Sequence, residues 1–544
     1  MKVFRLMVYI LRKRDYSAEH KSKGAFSGAV IQMMTRFSGK GAFSSEDEPE
    51  NKTKTEDHFI FRTYKNHRVA EHKTRKEGNM KMRMESDSIG TMAVPEDAYY
   101  GVQANRAQQN FHITGHKMSP EFLKNLALIK KACAIVNCEA GLLSDDKAKA
   151  IEQAAGEVMH GDFADAFVVD PVQGGAGTSA NMNMNEVIAN RANELLGGKR
   201  GAYDRVHPND HVNMAQSTND VIPTAGKMTV ISLMKPLTAE LRRLERALYQ
   251  KGIEFQDVIK MGRTQLQDAV PMTLGDTFIG YASMIHRCTA RLETAEKEMH
   301  SINLGGTAIG SGINASSYYE SHIAGRLSRL FGEYLTQADD LFDATENLDS
   351  FVEISGALKA CAVSLSKMSN DLRLLSSGPR CGLHEIMLPA KQNGSSIMPG
   401  KVNPVIPEVV TQAAFLVMGH DATIAMAAEA GQMELNAFEP VVFYQLFESM
   451  TALTGAVQTL IDNCIIGITA DKKHCAELEA GSVGIATALC PYLGYQKSAS
   501  IAKQALRENR TVRDIVLSEG LMDAGMLDKV LEPKKLAKSA PMSA

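Results

Sequence analysis

The fold is decided by stretches such as residues 351–375, which read FVEISGALKACAVSLSKMSNDLRLL. Large apolar side chains recur there at alternating steps of three and four residues, at Phe351, Ile354, Leu358, Cys361, Leu365, Met368 and Leu372. This spacing places them on one face of a long α-helix, and such a face is buried only against similar helices. The stretch therefore predicts a long helix inside a helical bundle.

Three further stretches carry the same stripe. Their apolar positions are Phe278, Tyr281, Ile285, Cys288, Leu292, Ala295, Met299 and Ile302 in the first, Leu446, Met450, Leu453, Val457, Leu460 and Cys464 in the second, and Leu237, Leu241, Leu244 and Leu248 in the third. Nothing alternates strand with helix, as a parallel α/β sheet requires. The predicted fold class is mainly all-α, with a central bundle of long helices.

Composition excludes several classes of protein. The 544 residues are 44% hydrophobic and 23% charged, which is typical of a globular chain. The net charge of -3 provides no field to attract nucleic acid or a membrane surface, and no uncharged apolar run approaches the roughly 18 residues of a membrane span. The eight cysteines contain no C-x-x-C pair, which argues against a zinc site or disulfide framework. We expect a reducing, cytoplasmic location.

Residues 1–84 differ from the rest of the chain. They are basic and poor in acidic residues as far as Phe43, acidic at residues 46–50, and rich in Lys, Arg and His up to Met84. We interpret them as a largely disordered extension. Two roles remain open, an organelle transit peptide carried by residues 1–45 and a solvated tail without a specific function.

The remaining chain divides into four predicted parts. They are an N-terminal domain at residues 85–220, the bundle domain at 221–468, a small helical C-terminal domain at 469–531, and a loose tail at 532–544. Within the first part, Ser119 followed by Pro120 predicts a helix start. Ser144 predicts a second start, and Gly161 the end of that helix.

Two polar segments before the bundle could bind an anion. Residues 174–186 read GGAGTSANMNMNE, and their glycine N–H groups, with Thr178, Ser179 and Asn181, suit a small carboxylate. Ser217, Thr218 and Asn219 form a cluster of N-cap residues, and a helix N-terminus favours an anion. Plain helix capping explains both segments equally well.

A third polar segment, residues 394–404, reads GSSIMPGKVNP. Two glycines would let it close over a ligand, while Ser395 or Ser396 could bind or attack, Lys401 supplies a positive charge and Asn403 a donor. An ordinary surface linker is the alternative, and no histidine in the segment supports a Ser-His-Asp arrangement.

Residues 394–404 resemble the signature loop of the aspartase/fumarase superfamily. Residues 261–269 (MGRTQLQDA), 174–185 and 216–220 resemble its other characteristic regions, and the similarity extends from about residue 85 to 531. The resemblance implies a three-domain helical chain that assembles as a homotetramer, with active sites built from loops of three subunits. It implies no cofactor, and a divalent metal as activator stays open.

Within the superfamily, several positions resemble the aspartase branch. Gln265 stands where fumarases typically carry His, and Ser217-Thr218-Asn219, residues 405–410 and residues 428–432 also resemble aspartases, whereas His207 is a fumarase-like choice. The implied activity is reversible deamination of L-aspartate to fumarate and ammonia by anti-elimination. The alternatives are a fumarate hydratase on the same scaffold and a catalytically silent homologue. A nucleotide-binding enzyme, suggested by the glycines at 305–312, is weaker because no strand–helix context surrounds them.

The resemblance also assigns roles to residues. Ser395 would be the base, and it can act so only where backbone N–H groups and a cation such as Lys401 stabilise its alkoxide. The other implied substrate-binding residues are Thr178, Ser217, Thr218 and Ser396 for the β-carboxylate, Thr264, Lys401 and Asn403 for the α-carboxylate, and Thr178, Asn219 and Gln265 for the amino group. Glu408, which pairs with the His of fumarases, lacks that partner here.

Overall fold

The computed structural model describes residues 81–537, so most of the predicted extension and residues 538–544 of the predicted tail lie outside the described residues. The helices are α1 (Val102–Asn110), α2 (Pro120–Glu139), α3 (Asp145–His160), α4 (Thr178–Leu195), α5 (Thr218–Glu254), α6 (Leu274–Ala295), α7 (Ser317–Phe331), α8 (Asp343–Glu346), α9 (Asp349–Leu375), α10 (Val405–Glu429), α11 (Glu439–Asn463), α12 (Lys472–Gly481), α13 (Cys490–Leu493), α14 (Tyr495–Glu508), α15 (Val512–Ser518), α16 (Ala524–Val530) and α17 (Pro533–Leu536).

Short strands form four two-stranded sheets in this part of the chain. The strands are β1 (Met82–Ser86), β2 (Thr91–Pro95), β3 (Ile259–Thr264), β4 (Gln267–Thr273), β5 (Ser301–Ile302), β6 (Thr336–Gln337), β7 (Ile386–Met387) and β8 (Thr469–Ala470). The pairs β1–β2, β3–β4 and β7–β8 are antiparallel, and β5–β6 is parallel. The mainly helical fold is therefore confirmed.

Five long helices, α5, α6, α9, α10 and α11, form the central bundle. They pack in a ring in which α5 contacts α6 and α11, while α9 contacts α6 and α10, and α10 contacts α11. Every apolar position of the four predicted stripes is buried. Each buried Leu or Ile contributes about 1.5–3 kcal/mol relative to an exposed one, so the stripes are the main source of bundle stability.

The helix starts follow the sequence chemistry. Ser217 caps α5 through a capping box with Asp220, and Thr273 caps α6 in the same way with Asp276. The predicted starts of α2 and α3 are confirmed, and α3 ends at Gly161, whose φ of 96° is left-handed. Such conformations cost glycine little, because it has no Cβ.

In several segments the local structure differs from the expectation drawn from the sequence. Residues 82–84, assigned to the extension, lie in β1, where Arg83 donates to the backbone of Pro95 and Ala98. Residues 178–186 of the polar segment 174–186 are the first turns of α4, which begins directly after Gly177 with its φ of 85°.

Two other boundaries also differ. Residues 533–536 of the predicted loose tail form α17, whose Lys534 pairs with Asp257. The stripe that begins at Phe278 continues to Ile302, but α6 already ends at Ala295. Met299 and Ile302 stay buried in a 3₁₀ turn and in β5, since periodic spacing reports burial rather than helix continuity.

The C-terminal helices have a hydrophobic cluster of their own. Ile485, Leu489, Ile501 and Ile515 are buried in it together with Met261 of β3. The C-terminal part therefore packs on the β3–β4 hairpin, and the predicted domain bounds remain a prediction.

In the described part of the chain, one helix is long and apolar enough to cross a membrane by length and composition, and it is α10. Only 28% of the most apolar 18-residue stretch of this helix is buried, although the helix packs between α9 and α11. Val409, Phe415, Leu416 and Met426 leave an apolar face of α10 exposed. Glu408 and Asp421 interrupt the apolar run, which is why the sequence did not predict a span.

Candidate active site

Two helix N-termini carry four of the predicted site residues. Thr178 is the first residue of α4, while Ser217 caps α5 and its Oγ accepts from the backbone N–H of Asn219. The two ends are joined where Asn181 donates to Thr218 Oγ1 over 3.3 Å. Helix N-termini carry partial positive charge and unpaired N–H groups, so this pair of ends suits a carboxylate.

A buried lysine lies beneath these helix ends. Lys130 of α2 is fully buried, and its Nζ donates to Asn181 Oδ1 at 2.6 Å, Gln216 Oε1 at 2.8 Å and Asn213 Oδ1 at 3.0 Å. Burial lowers the pKa of Lys130 to about 8. Because its direct partners are neutral amides, its positive charge is left to act on the helix ends above it.

Lys130 was not among the site residues predicted from the sequence. It lies on the buried face of α2 with Leu126 and Cys133, where a lysine is rarely found without a polar partner. The position of a lysine among the apolar residues of this helix face was the signal in the sequence that could have identified it.

The glycine-containing segment at 305–312 binds a side chain of the protein itself. The backbone N–H groups of Gly305 and Thr307 both donate to Asp220 Oδ2 at 3.1 Å. Asp220 is fully buried, and burial raises its pKa to about 6. Asn219 extends the same connection, since its side-chain N–H donates to Ala308 O at 2.7 Å. Residues 305–308 therefore brace the start of α5, which gives Gly305 a role without a nucleotide.

Thr264 and Gln265 lie at the tip of the β3–β4 hairpin, and both are exposed. The two turn residues, Gln265 and Leu266, have φ values of 55° and 62°. Two-residue hairpin turns with positive φ at both positions normally use Asn-Gly, so two residues with long side chains are strained there. Such strain costs about 1–3 kcal/mol a residue and is often found at functional sites.

The signature loop, residues 394–404, folds back on its own backbone. Gly394 N–H donates to Lys401 O, and Asn403 Nδ2 donates to Gly394 O, both at 2.8 Å. A Cβ on Gly394 would lie 2.5 Å from Lys401 O, so only glycine fits this close approach.

Inside the loop, Ser395 Oγ accepts from the backbone N–H groups of Ile397 and Met398, each at 3.1 Å. Ser395 is half-buried, whereas Ser396 and Lys401 are exposed. Two N–H donors aimed at one hydroxyl oxygen would stabilise negative charge on that oxygen.

A cleft of about 780 Å³ lies beside the loop, and its lining includes Arg373, His384, Lys401, Asn403 and Glu408. Arg373 Nη2 lies 3.8 Å from Glu408 Oε1, so Glu408 has an arginine partner from α9. The sequence left Glu408 without a partner because Arg373 is 35 positions earlier in the chain.

The predicted residues thus form three separate groups. Thr178, Ser217, Thr218 and Asn219 lie together, but within residues 81–537 no hydrogen bond or ion pair connects them to the hairpin pair Thr264 and Gln265 or to the signature loop. No cluster of three potential metal ligands occurs in this described range either.

The chain is similar to known lyases over most of its length. A lyase family model matches residues 90–419, and a model of the fumarase C C-terminus matches residues 485–538. Aspartate ammonia-lyase from Bacillus sp is 47% identical over 458 residues, which cover 84% of this chain and 98% of that protein.

Two solved structures support the same assignment. The crystal structure of fumarate lyase:delta crystallin from Brucella melitensis bound to cobalt is 48% identical, covers 84% of this chain and 100% of that one, and has a TM-score of 0.82. A class II fumarase from Schistosoma mansoni is 34% identical, with 84% and 99% coverage and a TM-score of 0.81. The chain therefore belongs to the aspartase/fumarase superfamily of lyases, on the branch of the aspartate ammonia-lyases.

Proposed function

We propose that this lyase converts L-aspartate reversibly into fumarate and ammonia, with Ser395 as the base. The observation that carries the mechanism is the pair of backbone N–H groups on Ser395 Oγ. The choice of substrate is supported by the near full-length similarity to aspartate ammonia-lyases.

The reaction is an elimination in two parts. Ser395, as the alkoxide, takes the proton from Cβ, and the electron pair moves into the neighbouring carboxylate to give an aci-carboxylate dianion. That pair then forms the double bond as the Cα–N bond breaks and ammonia leaves. A dianion is stable only near fixed positive charge, so its binding site must supply most of the rate enhancement.

The helix ends of α4 and α5, above Lys130, are the best site for this dianion. In our proposal Thr178, Ser217, Thr218 and Ser396 bind the β-carboxylate. Thr264, Lys401 and Asn403 bind the α-carboxylate, and Thr178, Asn219 and Gln265 contact the amino group. The Gln265 amide can accept a hydrogen bond from ammonium and donate one to a carboxylate.

We propose that complete sites need more than one subunit, since no hydrogen bond or ion pair joins the three groups of residues within residues 81–537. The exposed apolar face of α10, which includes Phe415, Leu416 and Met426, supports association. Monomeric proteins seldom expose so many large apolar side chains on one helix. We therefore propose a homotetramer with shared active sites. Light scattering on the purified chain tests this, and a monomer with full activity would contradict it.

The remaining parts of the proposal concern cofactors and location. Elimination from a dicarboxylate requires no redox or carrier group, so we propose no cofactor. Turnover after exhaustive chelation, with and without added Mg²⁺, tests whether a divalent metal activates the enzyme. The eight cysteines are all free, which supports a cytoplasmic location. A fluorescent fusion of residues 1–45 would reveal organelle targeting instead.

Incubation with L-aspartate or with L-malate tests the activity directly. Formation of fumarate, followed by its ultraviolet absorbance, is expected from L-aspartate. Fumarate from L-malate alone would support the fumarate hydratase alternative, which the similarity to a fumarase keeps as the second candidate. No fumarate from either substrate would indicate a catalytically silent homologue.

A further inference from the structure

We propose that Glu385 is a positioning residue for this reaction, because its buried carboxylate fixes the strained hairpin turn that presents Gln265. This inference rests on the proposed function, since it concerns how Gln265 is held toward the substrate. Glu385 lies 120 positions after Gln265 and outside the segments with characteristic motifs.

One carboxylate is shared by two cations at this position. Glu385 is fully buried, with Oε1 2.8 Å from Arg263 Nη1 and Oε2 3.3 Å from Lys260 Nζ. The two cationic side chains are also largely buried, at 6% exposure for Lys260 and 14% for Arg263. Removal of the negative charge would leave two neighbouring positive charges without compensation in a dry environment.

The hairpin is shaped to reach this carboxylate. The β3–β4 register shifts between Met261 and Arg263, which is a β-bulge. Bulges redirect side chains, and here the residue after the bulge is the one that pairs with Glu385. Thr264 follows Arg263 immediately, so the ion pair lies one residue from the first predicted substrate contact.

Glu385 itself is held by the body of the protein. Its N–H donates to Leu375 O at the end of α9, and its carbonyl accepts from Asp471 N–H at 3.0 Å. The next two residues form β7, which pairs with β8, and the chain then continues to the signature loop. The backbone of Glu385 is therefore attached to the end of α9 and to Asp471. Its carboxylate can in turn hold the hairpin in place through Arg263 and Lys260.

Glu385 would keep the turn of the β3–β4 hairpin in its strained conformation. Gln265 and Leu266 adopt left-handed conformations that their side chains disfavour, and such turns persist only when the surrounding structure enforces them. Without Glu385 the turn can relax and move the Gln265 amide. Because a displacement of about 1 Å can reduce turnover about a hundredfold, a buried residue that never touches substrate can limit the rate.

The test is a double-mutant cycle between Glu385 and Gln265 in the full-length chain. Glu385→Gln keeps the shape and removes the charge, and we expect kcat for L-aspartate to fall at least about tenfold with a smaller change in KM. In a Gln265→Ala background the same substitution should reduce kcat less than about threefold, since Glu385 then has no amide to position.

Two further variants serve as controls. Glu385→Asp retains the charge and should give an intermediate kcat. Glu157→Gln, which breaks a two-contact pair with Arg191 elsewhere in the chain, should leave kcat unchanged. If Glu385→Gln fails to fold, Arg263→Lys is measured in its place, because it weakens the same contact and leaves Lys260 paired with Glu385.

The outcomes separate the two hypotheses. Deamination of L-aspartate by the wild-type chain decides the proposed function, whatever the variants do. An equal loss of kcat in both backgrounds, or a kcat within twofold of wild type for Glu385→Gln, overturns the positioning role. If the wild type accepts only L-malate, the proposed function fails, and the same cycle measured with L-malate still decides the role of Glu385.

Discussion

Lys130 Nζ lies 2.6 Å from Asn181 Oδ1, and this contact joins α2 to the first turns of α4. Two other amide oxygens accept from the same ammonium group, so one buried charge organises both helix ends of the proposed carboxylate site. The arrangement predicts that Lys130 contributes to stability and to substrate binding together.

Lys130→Met should weaken binding and stability. Asn181 is buried, and its amide oxygen would lose the donor on Lys130 at a cost of about 1–3 kcal/mol, so the thermal midpoint should fall. Loss of the charge below the helix ends should raise KM for L-aspartate about tenfold, the effect of about 1.4 kcal/mol. Lys131→Met is the matched control, because Lys131 is partly exposed and, among residues 81–537, pairs only with Glu152 at 3.5 Å. Equal behaviour of the two variants would contradict the role of Lys130.

The same lysine predicts a pH dependence of stability. Its pKa falls from 10.5 to about 8 on folding because burial disfavours the charge. Between pH 8 and 10.5 the unfolded chain therefore binds more protons, and the contribution of Lys130 becomes more favourable as pH rises, by up to about 3 kcal/mol. The thermal midpoint of wild type relative to Lys130→Met, at fixed protein concentration, should rise from pH 8 to 10. A constant difference would show that the buried group does not titrate in this range.

Ser395→Ala should reduce turnover by at least about 10²–10⁴-fold, the usual contribution of a positioned base. The change removes the only atom that could take the proton and barely alters the volume, so the fold should survive. Ser396→Ala should act mainly on KM, through the β-carboxylate. Deamination kinetics of both variants, with assembly checked by light scattering, decide between them. A near-normal kcat for Ser395→Ala would place the base elsewhere.

Gln265→His introduces the residue type that fumarases typically carry at this position. Aspartate turnover should fall about tenfold to a thousandfold, because the amide contact with the leaving group is lost. The histidine would also occupy a left-handed turn position, at which Gln265 has a φ of 55°. Unchanged kinetics with L-aspartate would remove Gln265 from the site.

Truncation should be tolerated up to residue 80 and no further. The family match begins at residue 90, and β1 begins at Met82, so deletion of residues 1–80 should leave assembly and activity nearly unchanged. Deletion of residues 1–84 also removes Arg83, whose guanidinium donates to the carbonyls of Pro95, Ala98 and Tyr100. Solubility, thermal midpoint and turnover of the two truncations test this boundary, and equal stability would contradict it.

The bundle was predictable because its information is local. Apolar side chains in stripes such as Phe351 to Leu372 repeat every three or four residues, so that neighbouring residues alone define the face of the helix that is buried. Caps such as Ser217 are equally local, since the side chain bonds to a backbone only two or three residues away. The segment 394–404 could be singled out because Gly394, Ser395, Lys401 and Asn403 lie within ten positions, and its resemblance to the superfamily identified it as the signature loop.

By itself, then, the sequence determined the fold class and the main helix starts, and its resemblance to the superfamily supplied the proposed members of the candidate site. Only the tertiary structure decided how those members are held. Lys130 meets Asn181 across 51 positions, and Arg263 meets Glu385 across 122. No periodic pattern encodes such pairs, because a buried charge selects its partner from whatever side chains the packed helices bring within about 3 Å of it.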